Sequence, residues 1–562
     1  MRLKCDRKVL AFQLTLLVSW LFLGAWLRLA NLELKPPWSD EWASLVFSLG
    51  NSFQTVELNK LISLGDLLAP LQVDLAKTTA DTVNNLLTES THPPLYFVLN
   101  HWWLQLTNSD GALVSIWWGR CFSAIWGTVS IAGMFALGLV VFRSWIVAQL
   151  AASLMALSPF GVYLAQETRH YTLAIVWLIG SLTCLLLAVN KLNAPQEREN
   201  TTKIAWSLVI TWLVVNILGV ATHYFFTLAL VAQTLVLAGY WGINAIKKPH
   251  NWLSKDWQKV YIAIAATVVG CLPWLWLWRS IPDNQLTSWV YQDNSWFKFY
   301  EPIGRILLWL ITDIALLPVE GVPDAVAICS GVILIGTLAW LTPYFWRGYQ
   351  QVKPVILVWF LVAAIALVLV IALTIGADLS LSARFQFFYF PAWLLLLAAI
   401  GSHLWLNSNK FPVAILVVLG LCGALTINHN FAFQKVERPD LVVPQMVAAY
   451  QNKPVAIAIN HLTHGQTGEL MSLGWQFQKL IQQDAITWQP QFFLLHNDNR
   501  ATVIKHLKQQ VKQLKTEFGE SFQLWLINFS PTPNLSAENC LVEPDYQGRE
   551  TGYKYTLYSC SV

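Results

Sequence analysis

V-L-A-F-Q-L-T-L-L-V-S-W-L-F-L-G-A-W-L-R-L, Val9 to Leu29, is an apolar run that decides the class of this chain. As a helix rising 1.5 Å per residue, it is about 30 Å long, the thickness of a bilayer's hydrocarbon core. The basic segment M-R-L-K-C-D-R-K precedes it, and no small-residue cleavage site follows it, so it reads as an uncleaved first span. Seven residues further on comes P-P-W-S-D-E-W (36–42), with Asp40 and Glu41 between tryptophans. Carboxylates at a membrane surface are costly unless a cation or a reacting hydroxyl engages them.

Composition extends that reading to the whole chain. Hydrophobic residues make up 55% of the 562 and charged residues 12%, with a mean hydropathy of +0.47. A soluble protein would carry about 25% charged residues. Thirty tryptophans fit a protein with extensive membrane interfaces. The net charge of +4 is small and its basic residues sit in short loops, which reports topology and excludes a nucleic-acid partner. Cys121, Cys184, Cys271, Cys329 and Cys422 fall in apolar segments as packing residues. No C-x-x-C pair is present, which excludes a zinc ribbon or a dithiol redox motif.

Runs long enough to cross lie at about 9–29, 120–142, 144–160, 171–190, 204–220, 224–244, 260–278, 323–345, 354–375, 385–405 and 412–428. Two shorter stretches, 93–106 and 303–318, are richer in interfacial residues. Arg2, Lys4, Arg7 and Lys8 place the N-terminus inside. The loops with Arg143, with Lys191, Arg198 and Lys203, with Lys247, Lys248, Lys255 and Lys259, and with Arg347 and Lys353 join it there only if neither short stretch crosses. The expectation is an α-helical polytopic membrane protein of about 11 spans, up to 13 if both cross, with a small extracytoplasmic C-terminal α/β domain. The outer face then collects the loop 31–119, the turn 158–171, A-T-H-Y-F (221–225) and the linkers 279–322 and 376–384.

The expected domains are 1–429 in the membrane and 430–562 outside it. In the second, P-V-A-I-A-I (454–459), Q-F-F-L-L (491–495) and Q-L-W-L-I-N-F (523–529) read as buried strands. Val503, Leu507, Val511 and Leu514 share one face of a helix over 501–516. Strands alternating with helices give a small α/β fold. Segments 537–546 and 550–560 read as a hairpin turning around Gln547, Gly548 and Arg549, which sets Cys540 opposite Cys560 for a disulfide in an oxidising compartment; the alternative is two unpaired cysteines in a reduced or buried setting.

Chemistry-bearing residues gather on the outer side. Asp40 could take a proton from an acceptor hydroxyl, with Glu41 orienting the acceptor or a cation; alternatively Ser39 or Asp40 caps an interfacial helix. T-H-P-P-L-Y-F (91–97) presents His92 at a helix mouth or as a turn residue. S-P-F-G-V-Y-L-A-Q-E-T-R-H-Y (158–171) places Gln166, Glu167, Arg169 and Tyr171 at the outer end of a helix pair. Arg120, Arg169 and Arg384 suit a phosphate through bidentate bonds, or snorkel at helix ends. His223 and Tyr224 in T-H-Y-F complete the set.

In this order, P-P-W-S-D-E-W, T-H-P-P-L-Y-F, Arg120 before C-F-S-A, the 158–171 run and T-H-Y-F resemble the motif series of GT-C membrane glycosyltransferases. The likeness spans the first 430 residues and is nearest to the bacterial branch related to protein O-mannosyltransferases (glycosyltransferase family 39) and lipid A aminoarabinose transferases. The resemblance implies an inverting transferase at the outer face of a bacterial inner membrane, moving a sugar from a polyprenyl-phosphate donor to a protein, lipid or glycan hydroxyl. It implies Asp40 as catalytic base, Glu41 as its acidic neighbour, and Arg120 on the donor phosphate. The lipid A branch carries Lys where this chain has His92, which argues against aminoarabinose transfer. No cofactor is required; a divalent metal at Glu41 and His223 stays open. A transporter would carry ionisable residues within its spans and paired broken helices; a non-catalytic assembly or anchoring protein is the other alternative.

Overall fold

The computed structural model describes residues 7–90, 92–193, 204–247, 254–279, 289–291, 300–407, 409–496 and 500–561. Arg2, Lys4, Arg198, Lys203 and Lys248, used above for orientation, lie outside them. The chain forms two compact units. The first takes residues up to Leu32, Thr91–Tyr96 and Arg120–Phe433; the second takes Glu33–Ser90, Phe97–Gly119 and Gln434–Val562. The division falls after Phe433, and Glu33–Ser90 and Phe97–Gly119 belong with the C-terminal residues. No local pattern in those two segments announces a partner more than 300 residues away.

In the first unit every apolar run is helical. Among the described residues, seven helices are long and apolar enough to cross a membrane: Arg7–Leu29, Ile116–Phe142, Tyr171–Leu192, Phe226–Ile243, Asp324–Val352, Val355–Thr374 and Lys410–Asn428. The expected run 144–160 is a bent pair instead, Trp145–Leu157 and Pro159–Ala165, meeting at 56°. Pro159 has no amide hydrogen to continue the first helix, and the Ser158 hydroxyl accepts from Gly161 N to start the second. With that pair the count reaches eight, below the eleven expected. Trp206–Thr222 and Phe390–Leu406 are apolar but shorter, 17 residues each. Leu95–Thr107 and Tyr300–Thr312 have 13 residues each, about 20 Å of rise and too short to cross alone. Gly423 allows close packing: a Cβ there would sit 2.4 Å from Pro159 Cγ and 2.9 Å from Leu316 N.

The second unit holds a six-stranded sheet ordered β1-β3-β2-β4-β6-β5, from Leu61–Ile62 (β1), Val455–His461 (β2), Gln491–His496 (β3), Phe522–Ile527 (β4), Cys540–Glu550 (β5) and Tyr553–Cys560 (β6). Central β2 runs parallel to β3 and β4, and the outer pairings are antiparallel. The three strands read from the sequence are all present within two residues of their expected ends. Val503, Leu507, Val511 and Leu514 are buried in one cluster with Ala456, Phe493 and Leu524 of the sheet. The β5–β6 turn is at Thr551 and Gly552, later than expected, with Gly552 at φ +84°. Cys540 and Cys560 face each other across the ladder and are bonded.

The helix His464–Gln482 is not among the elements expected from the sequence. Gly465, Gly468 and Gly474 weaken its intrinsic propensity, yet the last two are contact points. A Cβ at Gly468 would lie 3.0 Å from Ser39 Cα, and one at Gly474 would lie 2.9 Å from Leu67 Cδ2. The small residues serve packing against the outer loop.

Candidate functional site

Two polar clusters form, one in each unit. In the first, the helix Ile116–Phe142 carries Arg120 and Ser123 on one face, three residues apart. Wholly buried Arg120 donates from Nη1 to the Leu32 carbonyl. Ser123 Oγ donates to Arg169 O at 3.0 Å and lies 2.9 Å from Tyr96 Oη. Arg169 is thereby fixed in the short turn between Pro159–Ala165 and Tyr171–Leu192. Its Nη2 reaches within 3.4 Å of His92 Nε2, and its guanidinium lies 5.8 Å from the Tyr171 ring centre.

His170, next in sequence, organises the aromatic part. Its ring centre lies 5.1 Å from His92, 4.5 Å from His223, 4.8 Å from Tyr171 and 6.0 Å from Tyr96. His223 also packs against Phe387 at 4.8 Å, and its Nδ1 accepts from Phe225 N at 3.0 Å. That bond places the neutral ring's proton on Nε2. Burial pushes both His170 and His223 well below the usual histidine range, and the cations around them add to it; both are neutral at pH 7. Arg384 stacks over Phe385 at 5.3 Å and, together with Glu167, lies beside Tyr163. Gln166 is placed differently from the rest: its Nε2 donates to Leu27 O, Ala30 O and Asn428 Oδ1, tying three segments of backbone together. Tyr224 is half-buried beside this group, its hydroxyl pushed up to about 12 by burial.

Thus His92, Arg169, Tyr171 and His223 are in mutual contact, through His170. His170, Tyr96, Ser123 and Phe387 were not singled out from the sequence, although Tyr96, Ser123 and His170 fall inside the quoted motifs.

In the second unit, Asp40 and Glu41 open the helix Ser39–Ser48. Neighbours on a helix differ by about 100°, and the two carboxylates part accordingly. Asp40 is half-buried, whereas Glu41 is wholly buried, with its Oε2 3.8 Å from buried Lys435 Nζ. Neither Ser39 nor Asp40 is the N-cap. Trp38 holds that position without a side-chain capping bond, and Ser39 is bonded instead by Glu437, whose Oε2 and Oε1 accept from Ser39 N at 3.0 Å and Ser39 Oγ at 2.5 Å. Ser472 Oγ donates to Glu437 Oε2 at 3.2 Å and accepts from Trp42 Nε1 at 2.7 Å. Burial pushes Glu437 up to about 8 and Glu469 up to about 7; Glu469 also accepts from Asn528 Nδ2 at 2.8 Å.

The proposed metal ligands do not fit a metal centre. An ammonium beside Glu41 repels a cation, and His223 Nδ1 is occupied by a backbone amide. Among the described residues no group of three His, Cys, Asp or Glu side chains is arranged to hold an ion.

No family model and no curated protein matches this chain. Solved structures do. The chain is similar to ArnT. The apo structure from Cupriavidus metallidurans aligns over 98% of both chains at 12% identity and a TM-score of 0.49. The same protein bound to undecaprenyl phosphate aligns over 99% of this chain and 98% of that one, at 11% identity and 0.46. The apo oligosaccharyltransferase of Archaeoglobus fulgidus aligns over 91% of this chain and 69% of its own, at 11% identity and 0.45.

Proposed function

We propose that this protein is an inverting glycosyltransferase that moves a sugar from a polyprenyl-phosphate donor to an acceptor hydroxyl, at the extracytoplasmic face of a bacterial inner membrane. The observation that carries the reading is the pair of guanidiniums Arg169 and Arg384, set among imidazoles kept neutral by burial, with Arg120 buried on the helix that also carries Ser123. Among the described residues Glu167 is the carboxylate placed with Arg384 beside Tyr163, so the cluster is net positive and matched to a phosphate.

In the proposed reaction Asp40 takes the proton of the acceptor hydroxyl. The acceptor oxygen bonds to the sugar's anomeric carbon as its bond to the phosphate oxygen breaks, and the lipid phosphate departs with that electron pair. A lipid phosphate is already a good leaving group, so the protein supplies a base, alignment and positive charge where negative charge develops. Half-buried Asp40 suits a base that must meet an acceptor; wholly buried Glu41, held by Lys435, suits a support. Arg169, able to engage a ligand beside His92 and Tyr171, is the first candidate for the donor phosphate. Arg120 and Arg384 are assigned to the same charge.

The test is release of polyprenyl phosphate from a labelled polyprenyl-phosphate sugar by the purified full chain in lipid nanodiscs, with isolation of the labelled product. Release that is lost in Asp40→Asn supports the reading. No release with a panel of hexosyl and pentosyl donors, in the presence of membrane extract as acceptor source, would favour an anchoring protein instead.

A further inference from the structure

We propose that Lys435 and Glu437 are positioning residues that grip the helix Ser39–Ser48 on both sides of Asp40 and set where its carboxylate stands. The inference rests on Asp40 being the base, and it gives the segment 434–438 a purpose that the transferase reading alone does not.

Glu437 lies in V-E-R-P-D (436–440), which follows the last apolar run. Glu437 accepts the Ser39 amide and binds the Ser39 hydroxyl; two residues earlier, Lys435 pairs with Glu41. The contacts therefore fall on residues 39 and 41 and leave Asp40, between them, half-exposed. Helix starts are ordinarily satisfied by their own N-cap side chain; here Trp38 offers none, and the acceptor comes from 398 residues away.

The strap is itself held. Arg438 N donates to Thr551 O at 3.1 Å, and Gly552, at the β5–β6 turn, leaves room for Val436 O where a Cβ would intrude to 2.3 Å. The other side of the Ser39–Ser48 helix is fixed by Ser472 on Trp42, by the Trp42–Trp475 ring contact at 5.3 Å and by His464 against Phe47 at 5.9 Å. Half-buried Glu469 and buried Tyr553 face Glu437 from the neighbouring helix and β6. A glutamine at 437 can reproduce the bonds, its oxygen accepting from Ser39 N and Ser472 Oγ and its amide donating to Ser39 Oγ. An aspartate keeps the carboxyl group but withdraws it by about 1.5 Å, one carbon–carbon bond.

The experiment uses the full chain with Glu437→Gln, Glu437→Asp and Lys435→Met. Amide hydrogen exchange over residues 39–42 is read together with turnover of a labelled polyprenyl-phosphate sugar. Glu437→Asp and Lys435→Met should raise exchange there at least tenfold and lower kcat about tenfold with donor KM unchanged, while Glu437→Gln stays within twofold of the parent in both at pH 6.5. Unchanged exchange in Glu437→Asp overturns the grip. Raised exchange with unchanged kcat overturns the catalytic consequence. If the parent chain itself turns over no donor, the transferase reading has failed, and the exchange arm alone reports on the strap.

Discussion

The cluster around Arg169 gathers guanidiniums and neutral imidazoles at the ends of apolar helices, whereas the cluster beneath Asp40 gathers carboxylates inside an α/β unit. In the first, charge is kept by bonding side chains to backbone carbonyls and hydroxyls and by stacking them on aromatic rings. In the second, Glu41 lies 3.8 Å from the Lys435 ammonium, while Glu437 and Glu469 hold protons into the neutral range. A cationic cluster can receive an anion without rearranging; a cluster of buried acids is suited to holding a shape. The difference separates a binding role from a supporting one.

The largest effect that bears on this contrast belongs to neither cluster's buried members. Asp40→Asn should lower kcat for transfer roughly 10²–10⁴-fold while thermal unfolding stays within about 2 °C of the parent, because the shape is kept. Near-normal transfer by that variant removes Asp40 from the base role.

Next comes the disulfide, which tests how far the second unit depends on covalent closure. The Cys540→Ser, Cys560→Ser double variant should lose about 2–4 kcal/mol in denaturant unfolding followed by tryptophan fluorescence.

A third prediction divides the arginines. Arg120 is wholly buried and bonded to the Leu32 carbonyl, so Arg120→Lys should cost about 1.5–3 kcal/mol of stability with a smaller rise in donor KM than at Arg169. Arg169→Lys should raise donor KM severalfold at nearly unchanged stability, since a point charge replaces the fork. The reverse pattern would exchange their roles.

The smallest effect is the pH slope of the second unit. Glu437 near 8 and Glu469 near 7 retain protons in the fold that the unfolded chain releases at about 4.3. Stability is then fullest below about pH 4 and declines as pH rises to 7–8, levelling above it. Glu437→Gln should flatten part of that decline between pH 5 and 8.5, measured by chemical unfolding of the solubilised protein.

Much of this was legible in the sequence because it is local. Helical stretches follow from apolar length, β2, β3 and β4 from short buried runs, and the Cys540–Cys560 pair from a hairpin. Asp40, His92, Arg169 and His223 were found because they sit in short polar runs beside apolar ones. The partition of Asp40 from Glu41 was not legible, since adjacency in sequence does not say which carboxylate a helix turns inward. Nor was the Glu437–Ser39 bond, whose two ends share no periodicity. Pro159 was in plain view, yet the apolar composition around it masked the break it makes.

The edge strand β1 comes from the early loop and joins the sheet at Phe492 and Phe493, as Glu437 joins Ser39 across 398 residues. At about 5–20 residues per second of synthesis, the ribosome needs roughly 20–80 s to make the second half of each of these contacts after the first. Throughout that interval the segment bearing Asp40 is translated but cannot be finished. A nascent or truncated chain thus carries its proposed base in an unassembled state, and the emergence of the segment with Lys435 and Glu437 decides when that base is in place.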